Sequence, residues 1–151
     1  MHLGSLELSN EELETVNRFN QRFARRRHPI TVDTLFDDWT SLVTEVEGGY
    51  AASVDDYTND LTSRDLLEDL IQDSQPSLRA KLETALKPWD ERFRRATAHD
   101  DGQALSRYFN LRDGWWWRRT PTKGQLATYL QRRAPSPGAV PADRTGADRE
   151  R

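Results

Sequence analysis

The chain has 151 residues, of which 35% are hydrophobic and 31% charged, and it carries a formal net charge of -3. Because it contains no cysteine, a disulfide scaffold, a thiolate metal site and a cysteine nucleophile are all excluded. No stretch approaches the roughly 20 consecutive apolar residues that a transmembrane helix requires.

Apolar residues recur with a helical period from residue 8 to residue 133, which predicts an all-α fold for this part of the chain. We predict a single domain over 8–133, built as an irregular bundle of about six or seven helices. Residues 1–7 form a short lead. Residues 134–151 contain proline, glycine, alanine and charged residues without large apolar ones, which predicts a disordered tail.

The first two predicted helices have clear start signals. Ser9 and Glu12 form a capping-box pattern, and the helix that they begin should extend over about 9–27, up to a run of arginines. Thr31 can cap the second helix, which Gly48 and its neighbouring glycine should end. The apolar residues of this second helix follow the i, i+3, i+4, i+7 rule: Val32, Leu35, Phe36, Trp39, Leu42, Val43 and Val46.

Two further capping boxes predict two helices after the glycines. Ser53 and Asp56 should begin a short helix, and Thr62 and Asp65 should begin the next one, which stops before Pro76.

The second half of the chain has fewer signals. Pro76 suits the first turn of a helix, and Pro88 either kinks that helix or starts a new one. After a stretch with weak periodicity comes a run of three tryptophans, 115–117, and then a break at Pro121. The last predicted helix contains Leu126, Tyr129 and Leu130.

Charge is strongly segregated along the chain. Residues 31–77 contain one basic and twelve acidic residues, a net charge of -11, whereas residues 78–133 have a net charge of +7. The acids recur at four-residue spacing, so each set lies along one helical face. Two interpretations stay open: solvated faces answered by the later arginines, or a negative surface that steers a basic partner. The members that we predict to bind a partner are Asp56, Asp60, Asp65, Asp69 and Asp73.

The tryptophan run is the least ordinary segment in composition. Three adjacent tryptophans cannot all point inward, so at least one indole should be partly exposed. The segment either plugs a groove of the bundle with arginines stacked on the indoles, or forms a binding hot spot. The candidate binding residues here are Trp115, Trp116, Trp117, Arg118 and Arg119.

The string from Asp55 to Asp60 resembles the aspartate-rich Mg²⁺ motif of terpenoid synthases, in which carboxylates one turn apart hold magnesium against a diphosphate. The resemblance implies a Mg²⁺-dependent enzyme acting on a phosphorylated or diphosphate substrate. It covers six residues, the chain is too short for that fold, and no clear second metal motif follows. We therefore assign no catalytic residue, no metal ligand and no cofactor.

The composition favours a non-enzymatic acidic protein that binds a basic protein partner. Immunity proteins and antitoxins against nuclease toxins best fit a small, cysteine-free, acidic helical domain, by analogy of composition. Binding of nucleic acid through the tryptophan and arginine segment is an alternative that the acidic segment disfavours. The first residues lack a basic stretch followed by an apolar one, so we expect a cytoplasmic protein and no membrane partner.

Overall fold

The computed structural model describes residues 5–133, which contain five α-helices and two short β-strands. The mostly helical class agrees with the prediction. The number of α-helices, five, differs from the expected six or seven. The predicted tail over 134–151 and the first four residues of the predicted lead lie outside the described residues. The elements are α1 (Asn10–Phe23), α2 (Val32–Gly48), α3 (Val54–Asp73), α4 (Pro76–Ala96), β1 (Thr97–His99), β2 (Arg119–Pro121) and α5 (Gln125–Arg133).

Helix α1 begins at the capping box that the sequence predicts. The backbone N–H of Glu12 donates to Ser9 Oγ at 3.2 Å, and the N–H of Ser9 donates to Glu12 Oε1 at 2.9 Å. Glu12 Oε1 also accepts from Lys81 Nζ at 2.7 Å, which ties α1 to α4. The helix ends at Phe23, four residues before the predicted end, and the arginines that follow are exposed, so no burial of apolar surface extends it.

Helix α3 is one continuous helix, so the predicted break at Thr62 is wrong. The Thr62 hydroxyl donates to the Asn59 carbonyl oxygen at 2.6 Å, which is a bond made inside a helix and not at its start. Asp65, the expected capping acid, instead accepts hydrogen bonds from tryptophans. The helix does begin where Ser53 and Asp56 predict, and their reciprocal capping box is present.

Helix α4 runs through Pro88 without ending, so a new helix does not start there. Pro88 has no N–H for the carbonyl oxygen of Thr84, and both residues are exposed. Water can therefore replace the missing donor at low cost.

A two-stranded sheet that the sequence did not predict follows α4. Strands β1 and β2 are antiparallel, and Ala98 pairs with Thr120 at the centre of the register. The pairing returns the chain to the end of α4. The 3-10 turn Trp115–Arg118, which leads directly into β2, therefore lies against α3, and its Trp115 contacts Phe93 and Arg94 of α4.

The core lies where α2 packs on α3 and α4. Trp39 of α2 is fully buried, and its ring centroid lies 4.8 Å from that of Phe93 in α4. Helix α5 is bonded to the loop that follows α2, where the Leu126 N–H donates to the Tyr50 carbonyl oxygen at 3.1 Å. Within residues 5–133, no helix combines the length and the apolarity needed to cross a membrane.

Candidate interaction surfaces

Asp65 of α3 holds the tryptophan turn. Its Oδ1 atom accepts the indole N–H of Trp116 at 2.9 Å and that of Trp117 at 2.8 Å. Both tryptophans are buried, and Phe109 stacks on Trp117 with a ring-centroid distance of 5.1 Å. A buried indole N–H needs an acceptor, so one carboxylate oxygen of Asp65 satisfies two donors that would otherwise be costly.

The other oxygen of Asp65 is held less tightly. Arg112 Nη1 lies 3.4 Å from Oδ2, and the Arg112 side chain is 54% exposed. Burial raises the pKa of Asp65, while the two indole N–H groups and Arg112 oppose that rise.

A second buried network lies next to this one. Arg64 of α3 donates from Nε and Nη2 to the two oxygens of Asp90 in α4, at 3.2 Å and 3.0 Å. Asp90 Oδ1 also accepts the indole N–H of Trp39, and Arg64 Nη1 donates to Glu68 at 3.0 Å. Arg64, the one basic residue of the acidic segment, is therefore neutralised inside the fold.

Arginines stack on the indoles, but they come from α3 and α4 and not from the tryptophan segment itself. The guanidinium carbon of Arg94 lies 3.8 Å from the ring centroid of Trp115, and that of Arg64 lies 4.6 Å from Trp116. Gly114 lies against the Trp116 ring, since a Cβ there would come within 2.2 Å of it. Trp115 is the partly exposed indole that the geometry of three adjacent tryptophans requires.

A cleft of about 570 Å³ opens beside Trp115, between α3 and the segment that precedes the 3-10 turn. We call it the Trp115 cleft. Five of its eight lining residues are charged. The lining residues are Asp65, Glu68, Asp69, Arg112, Asp113, Gly114, Trp115 and Trp116.

A second acidic region lies on the opposite side of α3. Asp60 of α3 accepts the hydroxyl of Tyr50 at 2.7 Å. Asp38 in α2 is exposed as a whole, but partial burial of its carboxyl group raises its pKa, and the charges of Asp60 and Asp37 raise it further. Burial also raises the pKa of Asp60, and the charge of Asp56 adds to that rise, while the Tyr50 hydroxyl opposes it.

Glu45 belongs to the same region, because its charge acts on the Tyr50 hydroxyl together with those of Asp60 and Asp56. We define the α2–α3 acidic surface as Asp38, Glu45, Asp56 and Asp60. Within residues 5–133, no lysine, arginine or histidine nitrogen lies within 4.0 Å of these four carboxylates in a salt bridge.

The structure separates the predicted acidic residues into two groups. Asp56 and Asp60 are about 140–180° around the α3 axis from Asp65, because each residue of a helix advances by about 100°. Asp56 bonds Ser53 as the capping acid. Asp69 is exposed at the Trp115 cleft, and Asp73 makes a surface ion pair with Arg22 at 3.7 Å.

The two predicted arginines have internal partners. Arg118 Nη1 donates to the carbonyl oxygens of Arg112 and Gly114, at 2.8 Å and 3.1 Å. Arg119 donates to Thr97 Oγ1 at 2.8 Å, and burial, aided by the charge of Arg94, lowers its pKa.

Sequence reasoning did not single out Asp38, Glu45, Tyr50 or Asp113 as site residues. The seven-residue spacing of Asp38 and Glu45 could have shown that they share the exposed face of α2. Asp113 precedes the tryptophans in an irregular stretch, where no periodicity indicates orientation.

Within residues 5–133, no group of three or more histidine, aspartate or glutamate side chains could hold a metal ion. The chain matches no protein-family model, no curated protein and no solved structure.

Proposed function

We propose that this chain is a non-enzymatic interaction protein that binds a basic protein partner through the α2–α3 acidic surface. The partner class is that of the toxins bound by immunity proteins and antitoxins, and the proposed compartment is the cytoplasm. The observation that carries the proposal is that α2 packs on α3, where Asp60 accepts the Tyr50 hydroxyl at 2.7 Å, so that Asp38 and Glu45 of α2 come near Asp56 and Asp60 of α3.

Like charges held together lower the stability of the folded chain, by a few tenths of a kcal/mol for an exposed pair. Burial raises the pKa of Asp38, and the charges of Asp60 and Asp37 raise it further, as expected for carboxylates that repel one another. A basic partner would remove this repulsion on binding and would be steered towards the surface by its field.

The experiment is affinity capture from the native cell, followed by reconstitution with the captured protein in purified form. The test variant is Asp38→Lys with Glu45→Lys, since both residues are exposed on α2 and neither caps a helix. The control is Glu14→Lys with Glu91→Lys, which makes the same charge change on α1 and α4.

We expect a basic partner whose dissociation constant rises about tenfold or more in the test variant and changes less than about threefold in the control. Binding should also weaken as the salt concentration rises. If both variants retain the partner equally, or if the partner is acidic, the proposal is wrong.

The two alternative functions stay predictions with less geometric support. Of the proposed magnesium ligands, Asp56 caps α3 and Asp60 accepts the Tyr50 hydroxyl. Calorimetric titration with Mg²⁺ and pyrophosphate tests that function. Of the proposed nucleic-acid contacts, Trp116 and Trp117 are buried, and a salt-sensitive mobility shift is the corresponding test.

A further inference from the structure

The Trp115 cleft has a lining that suits a cationic side chain. Four carboxylates and one guanidinium line it, and Glu68 is already paired with Arg64. Asp69 and Asp113, by contrast, are exposed and have no salt-bridge partner within residues 5–133. The cleft therefore keeps an excess of negative charge beside a partly exposed indole.

Two arginines of the chain that do not line the cleft show how a guanidinium packs on its two indoles. Arg94 stacks on Trp115 at 3.8 Å, and Arg64 stacks on Trp116 while it pairs with Glu68 and Asp90. A planar guanidinium fits such a site because its face lies on the indole while its N–H groups bond carboxylates.

The cation that already lies in the cleft is held loosely. Arg112 reaches Asp65 at 3.4 Å, at the long end of hydrogen-bond distances, and more than half of its side chain is exposed. Arg112 can therefore turn towards water when another cation enters, and the volume of about 570 Å³ lies within the range of pockets that bind small groups.

We propose that the Trp115 cleft receives an arginine side chain of the basic partner, with its guanidinium beside Trp115 and paired with Asp69 and Asp113. The inference rests on the proposed function only in taking the partner to be a basic protein. It adds a second contact region, on the side of α3 opposite to the α2–α3 acidic surface.

The test uses the purified chain and the peptide acetyl-Gly-Arg-Gly-amide, with acetyl-Gly-Gln-Gly-amide as the uncharged comparison. Two-dimensional NMR of the five indole N–H groups reports on the cleft, since single Trp→Phe variants assign each signal. We expect the arginine peptide to shift the Trp115 signal saturably and the glutamine peptide to leave it unchanged.

The variant Asp69→Asn with Asp113→Asn should weaken binding of the arginine peptide by about fivefold, as expected for two partly exposed ion pairs. Neither residue bonds another described side chain, so unchanged Trp116 and Trp117 indole signals will show that the fold is intact. The matched control, Asp38→Asn with Glu45→Gln, removes the same charge from the α2–α3 acidic surface and should change the affinity less than about twofold.

Equal weakening in both double variants would overturn the proposal, because it would show attraction by net charge alone. The absence of a saturable shift, or an equal shift with the glutamine peptide, would also overturn it. This result is independent of partner capture. The peptide can bind the cleft even if the α2–α3 acidic surface binds no partner, and a partner can bind that surface even if the peptide does not bind the cleft.

Discussion

Asp65 is the residue on which the position of the tryptophan turn depends, since one of its oxygens accepts both buried indoles. We predict that Asp65→Ala lowers the free energy of unfolding by about 2–4 kcal/mol, because each buried donor left unpaired costs about 1–3 kcal/mol. Asp65→Asn should cost less than about 1 kcal/mol, since its amide oxygen keeps both bonds and its burial carries no charge.

Urea unfolding followed by tryptophan fluorescence measures both changes. Asp69→Ala is the control: it lies one turn further on α3, is exposed, and should change the free energy of unfolding by less than about 0.5 kcal/mol. If Asp65→Asn costs as much as Asp65→Ala, the charge and not the hydrogen bonds holds the turn.

At the scale of elements, local capping signals predicted most helix starts correctly. They failed where residues far along the chain determine what a side chain bonds. Ser9, Thr31 and Ser53 cap helices as expected, because a capping box is complete within four residues. Thr62 and Asp65 have the same pattern, yet Asp65 is used by tryptophans 51 and 52 residues later in the chain. Local sequence does not contain that competition.

The candidate site was predicted in parts for the same reason. The sequence showed both the tryptophan run and the rows of acidic residues. It did not show that Asp65 bonds the tryptophans while Asp69 stays exposed. Helical spacing assigns residues to one face without showing what packs on that face. Strands β1 and β2 were missed because three residues are too few to show an alternating pattern.

The contact between α5 and the loop after α2 depends on Gly124. Its φ is +95°, and a Cβ there would lie 2.6 Å from the backbone carbon of Gly49. We predict that Gly124→Ala lowers the free energy of unfolding by about 2 kcal/mol or more, through strain and loss of the bond from Leu126 to Tyr50.

Gly48→Ala is the matched control for that substitution. Gly48 is the last residue of α2, and a Cβ there would meet nothing within 4 Å. Alanine should therefore raise the free energy of unfolding by a few tenths to about 1 kcal/mol. Urea unfolding of both variants measures the pair, and a similar loss in both would contradict the close-approach argument.

At the scale of the whole molecule, the segregated charges meet only in part. The acidic and basic segments are joined through Asp65 with Arg112, Glu47 with Arg92, and Arg64 with Asp90. The α2–α3 acidic surface has no such bridge within residues 5–133, so part of the net charge of -11 stays unanswered there. On the Asp65 side of α3 an acid is therefore answered by a later arginine, whereas steering of a basic partner by the α2–α3 acidic surface stays a proposal.

The raised pKa values of Asp38 and Asp60 predict how the free energy of unfolding depends on pH. Burial first, and then like charge, raises the pKa of Asp38 and of Asp60, so each binds its proton more tightly in the folded chain. Their protonation stabilises the fold as the pH falls from neutral towards their ordinary pKa of 3.8.

Three other carboxyls have the opposite effect. The pKa of Glu12 is lowered by Lys81, that of Glu47 by Arg92, and that of Asp56 by Ser53. Their stabilising effect is complete above the ordinary pKa values of 4.5 and 3.8, and it is lost as the pH falls below them. Stability should therefore be highest in the mildly acidic range.

Asp38→Asn should raise the free energy of unfolding at about pH 7 by roughly 0.3–1 kcal/mol, after allowance for screening by solvent. The gain should shrink as the pH falls towards 3.8, because the wild-type carboxyl is then protonated as well. Glu14→Gln, an exposed acid on α1, is the control and should show no such gain. Urea unfolding across this pH range, at low salt and at about 0.5 M NaCl, measures the difference, and the salt should diminish it. If the gain in the free energy of unfolding stays constant with pH, it comes from packing of the new side chain. Repulsion across the α2–α3 acidic surface would then not be its cause.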